Sequence, residues 1–468
     1  MNGPDRPVPR GRVRRTMPLA GFTARATGGR VVAALREKAG DPTAVARFHE
    51  RTAERYTELL GHSKGVLMKA GQMISMIDAG AVGAGELSPY QQALTRLQAD
   101  APPMHPDLAR EVLEADLGQR TGEVFAEFSD EPMAAASIGQ VHRAVLHDGR
   151  EVAVKIQYPG VAAAIRNDLA NSELLVTFSR FVGATLLDLR EAAREIATRI
   201  SEEVDYRHEA DNIRAFSDLY REHPFIRIPD VVHGASGDRV LTMTFVEGWD
   251  WDAARRADQD LKDTWAEVIS RMVTGSYRHA NLFHADPHPG NYRFGLDGSV
   301  GFVDFGCVKR LSETQRRRIV VMARAAVDGR RDDLRATMVD SGFLATDSSL
   351  TADEAYQWWA TVLHELLAPQ PATYTPEAAE RAIGSLIDLR AADHPVRRMQ
   401  VPPDFVFFSR LNLSMNAVFT ALNATIYARS LLDDMDGVAP PVTDLGKTHD
   451  AWVRQRGLPY GMDHHDTP

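Results

Sequence analysis

The chain is 468 residues long, 44% apolar and 25% charged, with a formal net charge of −10 at pH 7 and one cysteine, Cys307. A chain of that length can bury a full core and is expected to hold two or more lobes. Its acidic balance excludes the usual nucleic-acid binder, which carries a basic domain, and a lone thiol excludes a disulfide framework and suits a reducing cytoplasm.

Residues 1–40 depart from that balance. Arg6, Arg10, Arg12, Arg14, Arg15, Arg25, Arg30, Arg36 and Lys38 stand against Asp5 and Glu37, with no apolar run of the signal-peptide kind. The segment reads as a disordered basic tail. The sharper expectation is peripheral contact with anionic lipid, each basic residue contributing about 1 kcal/mol near a charged surface. From 42 to 79, Phe48, Tyr56, Leu59, Leu60, Val66, Leu67, Met73 and Ile77 recur at helical spacing. That helix carries Lys69-Ala70-Gly71-Gln72, where a Gly costs about 1 kcal/mol against Ala and so suggests a close approach. Shorter helices at 88–98, Pro106–Leu117 and 121–128 complete a helical extension over 41–130.

Residues 131–248 read as a lobe built on a hairpin. Ala134-Ala135-Ala136-Ser137 and Gly139 precede an alternating run ending at Leu146; His147-Asp148-Gly149-Arg150 makes the turn, and Glu151 to Gln157 returns. Val152-Ala153-Val154-Lys155 matches the strand that supplies a phosphate-pairing lysine in protein kinases. Glycine-rich loops let backbone N–H groups close on phosphates; here alanines replace most of the glycines, and a stiffer nucleotide lid is expected. Helices follow at 159–181 and 189–219, the second offering Glu203, Asp205 and Glu209 as lysine partners. Strands at 231–232 and 240–245 then lead to a hinge-type turn at Glu247-Gly248-Trp249.

A helix at 266–279 runs into His284-Ala285-Asp286-Pro287-His288-Pro289-Gly290-Asn291, and a short apolar run later comes Asp304-Phe305-Gly306. This is a phosphoryl-transfer pattern: Asp286 can orient or deprotonate a hydroxyl, while Asn291 and Asp304 offer oxygens to magnesium. Strands at 292–296 and 300–303, joined at Asp297-Gly298, would bring Asn291 and Asp304 to one place. Ser312 and Gln315 open the next helix with a capping box, leaving no room for a long activation segment. Helices are expected at 313–327, 331–339, 352–367, 376–389 and 403–432. The uncharged run 411–428 is just long enough for a membrane, but Asn412, Asn416 and Asn423 favour a packed core helix. Residues 249–440 form a helical second lobe, and 441–468 read as a loose tail.

Lys69-Ala70-Gly71-Gln72 fits K-x-G-Q, Ala134 to Gln140 an Ala-rich loop, and Glu203-Val204-Asp205 E-x-D. With Lys155, the run ending at Asn291 and the D-F-G, the chain resembles the UbiB/AarF/ADCK family of atypical kinases over roughly residues 45–430. The resemblance implies an α+β, protein-kinase-like two-lobed fold with an N-terminal helical K-x-G-Q extension and a mostly helical C-lobe. It implies Mg2+ and ATP as cofactors, with Ala134, Ala135, Ala136, Ser137 and Gly139 over the nucleotide and Lys155 pairing with its phosphates and with Glu209. Lys69 would reach Glu203, with Gln72 and Asp205 in the same regulatory set, and the K-x-G-Q helix would restrain transfer to a protein substrate. Family members show ATPase behaviour and support isoprenoid-quinone lipid biosynthesis at membranes. The implied partners are therefore ATP or ADP and isoprenoid or phenolic lipid precursors. The lone thiol and the basic N-terminus together lead to an expected location in the cytoplasm, with peripheral contact at the inner face of the membrane. No nucleic acid is expected.

Two alternatives stay open. Aminoglycoside- or choline-type small-molecule kinases share H-x-D-x-x-x-x-N, although K-x-G-Q and the Ala-rich loop count against them. A nucleotide-binding scaffold without turnover is opposed by the intact Lys155, Asp286, Asn291 and Asp304. Zinc at His279, His284 and His288 is disfavoured by the lack of a Cys pair and by Pro287 and Pro289. His284 is instead expected to hold the catalytic loop in shape, and Cys307 to be a packed thiol.

Overall fold

The computed structural model describes residues 103–135, 138–162, 204–379, 381, 395–400 and 402–464. The helices expected at 42–79 and 88–98, and with them Lys69, Gln72, Ala136, Ser137 and Glu203, lie outside the described residues. The described chain divides into two compact units, one drawn from 103–207 and 232–243, the other from 208–231 and 244–464.

In the first unit, Pro106 sits in the first turn of α1 (Pro106–Leu117), where its missing N–H leaves nothing unpaired, and Gly118 at φ 67 stops the helix. Ala109, Val112 and Leu113 form its buried stripe. The helix expected over 121–128 is a single turn, α2 (Thr121–Val124), followed by β1 (Phe125–Phe128). Pairing decides this: Phe125 lies opposite Leu146 with its ring buried, although its N–H still donates to Thr121 O. β2 (Ala134–Ala135), β3 (Gly139–Leu146) and β4 (Glu151–Gln157) are antiparallel, with Val141 opposite Lys155 and Gly139 opposite Gln157. α3 (Tyr206–Leu219) and β5 (Ile226–Arg227), which belong almost wholly to the second unit, precede β6 (Val240–Thr244). β6 completes a sheet ordered β1-β3-β4-β6, with β2 on β3. Val152, Val154, Ile156, Val240 and Leu241 are its fully buried apolar residues, beside the equally buried Gln140, His142 and Thr242.

In the second unit, a short turn of helix, α4 (Trp251–Ala254), leads to α5 (Gln259–Ala280), which is buried from Trp265 to Val273 and again over most of its last turn. β7 (Leu282–His284), β8 (Tyr292–Phe294), β9 (Val300–Phe302) and β10 (Val308–Arg310) follow. β8 and β9 form the expected hairpin, Gly298 taking the turn at φ 82; β5 lies parallel to β9, and β10 antiparallel to β7. α6 (Glu313–Val327) opens on the expected capping box of Ser312 and Gln315. α7 (Arg331–Asp340), α8 (Ala352–Val362) and α9 (His364–Leu367) come next, so the single helix expected at 352–367 is divided at Leu363.

The helix expected at 403–432 is also divided. α10 (Pro403–Leu422) stops at Asn423, whose left-handed φ of 51 turns the chain so that β12 (Thr425–Ile426) can pair with β11 (Ala372–Thr373). α11 (Ala428–Met435) then packs on α5. No helix among the described residues is long and apolar enough to cross a membrane. The segment read as a loose tail contains α12 (Asp444–Arg456), capped by Thr443 and buried along Gly446, His449, Trp452 and Val453. Its flanking Pro and Gly residues belong to the turns on either side, and the helical stripe between them was overlooked.

Candidate active site

β7 delivers His284 to a proline-bound loop. Its Nε2 donates to the carbonyl of Asp304 at 2.9 Å, tying the loop to the D-F-G, and Ala285 N donates to Cys307 O at 2.9 Å. The three residues Pro289–Asn291 form a tight turn in which Gly290 N donates to His288 Nδ1. The amide Nδ2 of Asn291 donates to both the carbonyl and the Oδ2 of Asp286, at 3.1 and 3.2 Å. With those hydrogens directed at Asp286, the amide oxygen is the end of Asn291 that can face a cation. Val303 N donates to Asn291 O at 3.0 Å, so the hairpin does bring Asp304 back beside the loop, and Gly306 N holds Asp304 Oδ1 at 3.0 Å. Asp286, Asn291 and Asp304 are all half-buried, while Phe305 and Cys307 are buried. The packed-thiol expectation for Cys307 therefore agrees with the structure. Beneath the loop, Tyr292 is fully buried, and burial, with the charge of Asp286 second, pushes its phenol well above its ordinary range. It therefore stays protonated.

One face of α3 supports this arrangement. Asn212 Nδ2 donates to Phe305 O at 3.0 Å, Phe305 N approaches Glu209 Oε1 at 3.5 Å, and the ring of Phe216 lies 5.0 Å from Phe305 and 5.9 Å from His284. Sequence reasoning selected Glu209 but missed Asn212 and Phe216. The signal was available: positions 209, 212 and 216 share one helical face.

In the first unit, Lys155 is buried on β4, its ammonium 5.3 Å from the ring centroid of Tyr206. Gln157 Nε2 donates to Val204 O at 2.7 Å, anchoring the segment that carries Asp205, which is exposed. Ala134 and Ala135 pair with Val141 and Gln140. Gly139 cannot be otherwise: a Cβ there would lie 2.2 Å from Ile156 O.

The three histidines weighed for zinc have separate partners: His279 on Pro459 and His449, His284 on Asp304, His288 on Gly290. Among the described residues no group of three or more His, Cys, Asp or Glu is placed to hold a metal. Magnesium does not require one. It commonly binds one or two protein oxygens, nucleotide phosphates and water, a pattern the oxygens of Asn291 and Asp304 fit.

Residues 96–338 match the ABC1 atypical kinase-like domain family. The chain is 32% identical over 314 residues to an uncharacterised Synechocystis protein, covering 65% of this chain and 54% of that one. It is 30% identical over 393 residues to the mitochondrial atypical kinase COQ8B of Rattus norvegicus, covering 82% and 72%. The chain thus spans only about half the length of the first of these relatives. It is also similar to the structure of the Rv3197–erythromycin complex from Mycobacterium tuberculosis, with TM-score 0.62 and 31% identity over 86% of this chain and 100% of that one.

Proposed function

This chain belongs to the ABC1 atypical kinase-like family, the UbiB/ADCK group, with a kinase-like α+β fold, and on that footing we propose that it binds Mg-ATP and turns it over by hydrolysis or phosphoryl transfer. One observation carries the reading: Asn291 is bonded through its amide to Asp286 and through its carbonyl to the residue before Asp304. A hydroxyl-orienting carboxylate and two oxygen ligands are thereby gathered in one loop cluster.

Asn291 and Asp304 would hold the magnesium, which neutralises phosphate charge when bound. Asp286 would orient an attacking water or hydroxyl and take up its proton. Lys155 is assigned to the phosphates, and Ala134, Ala135, Ala136, Ser137 and Gly139 to the lid above them. Glu209 is assigned to the same site, and Lys69, Gln72, Glu203 and Asp205 to a restraint on transfer. The proposed acceptors or effectors are isoprenoid or phenolic lipid precursors, met at an anionic surface through the basic N-terminus.

Magnesium-dependent ATP hydrolysis is the test. Asp304→Asn should lower it by about 10²–10³, and wild-type turnover in that variant would sink the assignment. Stimulation by anionic liposomes together with phenolic precursor mimics would support the lipid role. A second reading, small-molecule phosphotransfer, draws on the erythromycin complex of the similar structure; phosphate appearing on an added macrolide or aminoglycoside would favour it.

A further inference from the structure

Helix α12 caps another helix. The last carbonyls of an α-helix lack intrahelical donors, and α12 meets one of these in α3, that of Asp218, together with the carbonyl of Arg221 two residues past the helix end. Arg456 Nη2 donates to Asp218 O at 2.8 Å, and Trp452 Nε1 to Arg221 O at 3.3 Å. Trp452 also stacks on Tyr220, with centroids 5.7 Å apart and planes 11° from parallel, and meets His223 edge-on at 4.5 Å.

A relay of three buried histidines extends the contact. Backbone N–H groups of Phe225 and Ile226 point at His223 Nδ1, so its proton is on Nε2 and is donated to His449 Nδ1 at 3.0 Å. His449 then donates from Nε2 to His279 Nε2 at 3.3 Å, and His279 from Nδ1 to Pro459 O at 2.7 Å. Every donor has one acceptor, which holds only if all three rings are neutral. The segment after α12 is itself pinned, Arg316 donating to Gly461 O and Asp463 O at 2.6 and 2.7 Å.

Two further residues of α3 reach the candidate site, Asn212 on Phe305 O and Phe216 against Phe305 and His284. We propose that α12 is a positioning element for that site, fixing the end of α3 and thereby the seat of the D-F-G segment. In its kinetic part the inference rests on the Mg-ATP reading above; in its structural part it does not.

The experiment uses the full chain with Trp452→Ala, the exposed Arg456→Ala, the conservative Trp452→Phe, and Trp359→Ala in α8 as a control for lost packing. kcat and KM for Mg-ATP are measured where every variant is folded, alongside amide hydrogen exchange at Phe305 and Gly306. Trp452→Ala should lower kcat about tenfold through misplacement and speed exchange at both amides. Arg456→Ala should do the same more weakly, and Trp452→Phe should recover most of the loss. Trp359→Ala should lower stability without either effect. Unchanged exchange and kcat in Trp452→Ala, or equal changes in Trp359→Ala, would overturn the proposal. If the wild-type chain turns over no ATP, the Mg-ATP reading fails, and exchange at Phe305 and Gly306 still decides the clamp.

Discussion

At the scale of single residues, steric room and hydrogen-bond direction do most of the selecting. Gly139 begins β3 with the carbonyl of Ile156 where a side chain would start. Gly139→Ala must move one strand off the other and should cost about 1–3 kcal/mol as overpacking does; an unchanged urea midpoint would contradict the geometry. Asp286, Asn291 and Asp304 could be singled out because a phosphoryl-transfer pattern restricts residue type and spacing together, and the structure gathers the three in one loop cluster. Which end of Asn291 faces Asp286 was not legible, since it depends on the fold of the proline turn.

At the scale of elements, α3 is the part whose role sequence reasoning underestimated. Its carboxylate Glu209 was visible, but a neutral Asn three residues on gives no sign of function until Phe305 O is seen against it. Asn212→Ala leaves that buried carbonyl without its donor, which should cost about 1–3 kcal/mol. On the proposed Mg-ATP reading, turnover should fall with it while KM for Mg-ATP changes less, because the residue holds the D-F-G backbone. Steady-state kinetics at a temperature where the variant is folded checks this, and an unchanged kcat would place Asn212 in a purely architectural role. The split of the long helix expected at 403–432 has a similar origin. Its apolar periodicity continues past Asn423, yet the pairing of β12 with β11 requires a turn there.

At the scale of the whole second unit, α5 is joined to α11 and the residues just past it by buried ion pairs. Arg271 bridges to Asp434 and Glu267, and Arg278 to Asp436, with Arg324 bonded to Asp436 from α6. The histidine relay adds a pH dependence. Burial, then the charges of Arg227 and Arg271 and the neighbouring His279, holds His223 down to about 3. Burial, then His279, Arg271 and His223, holds His449 well below its ordinary value. Both titrate near 6.5 in an unfolded chain, so below that pH the unfolded state binds protons the folded state refuses. Stability from this source is complete above about pH 6.5 and is lost as pH falls below it, for His223 down to about pH 3, by up to about 1.4 kcal/mol per pH unit for each histidine. Urea unfolding at pH 7.5 and 5 should show it, with a shallower loss in His449→Gln. Equal pH dependence in that variant and the wild type would contradict it.

What the sequence determined by itself was the family: Lys155, the H-x-D-x-x-x-x-N run, the D-F-G, the Ala-rich loop and K-x-G-Q are local patterns readable at short range. It also determined the two hairpins, because turn residues and alternation are local as well. Only the tertiary structure decided that Phe125 belongs to a strand, that Asn423 ends a helix and that residues 444–456 form one. Each depends on a partner far along the chain, Leu146 for Phe125, Thr373 for Thr425 and Tyr220 for Trp452. Backbone pairing and ring stacking between such distant residues are not written at either end: the helical spacing of Gly446, His449, Trp452 and Val453 is local, but the partner they are buried against is not.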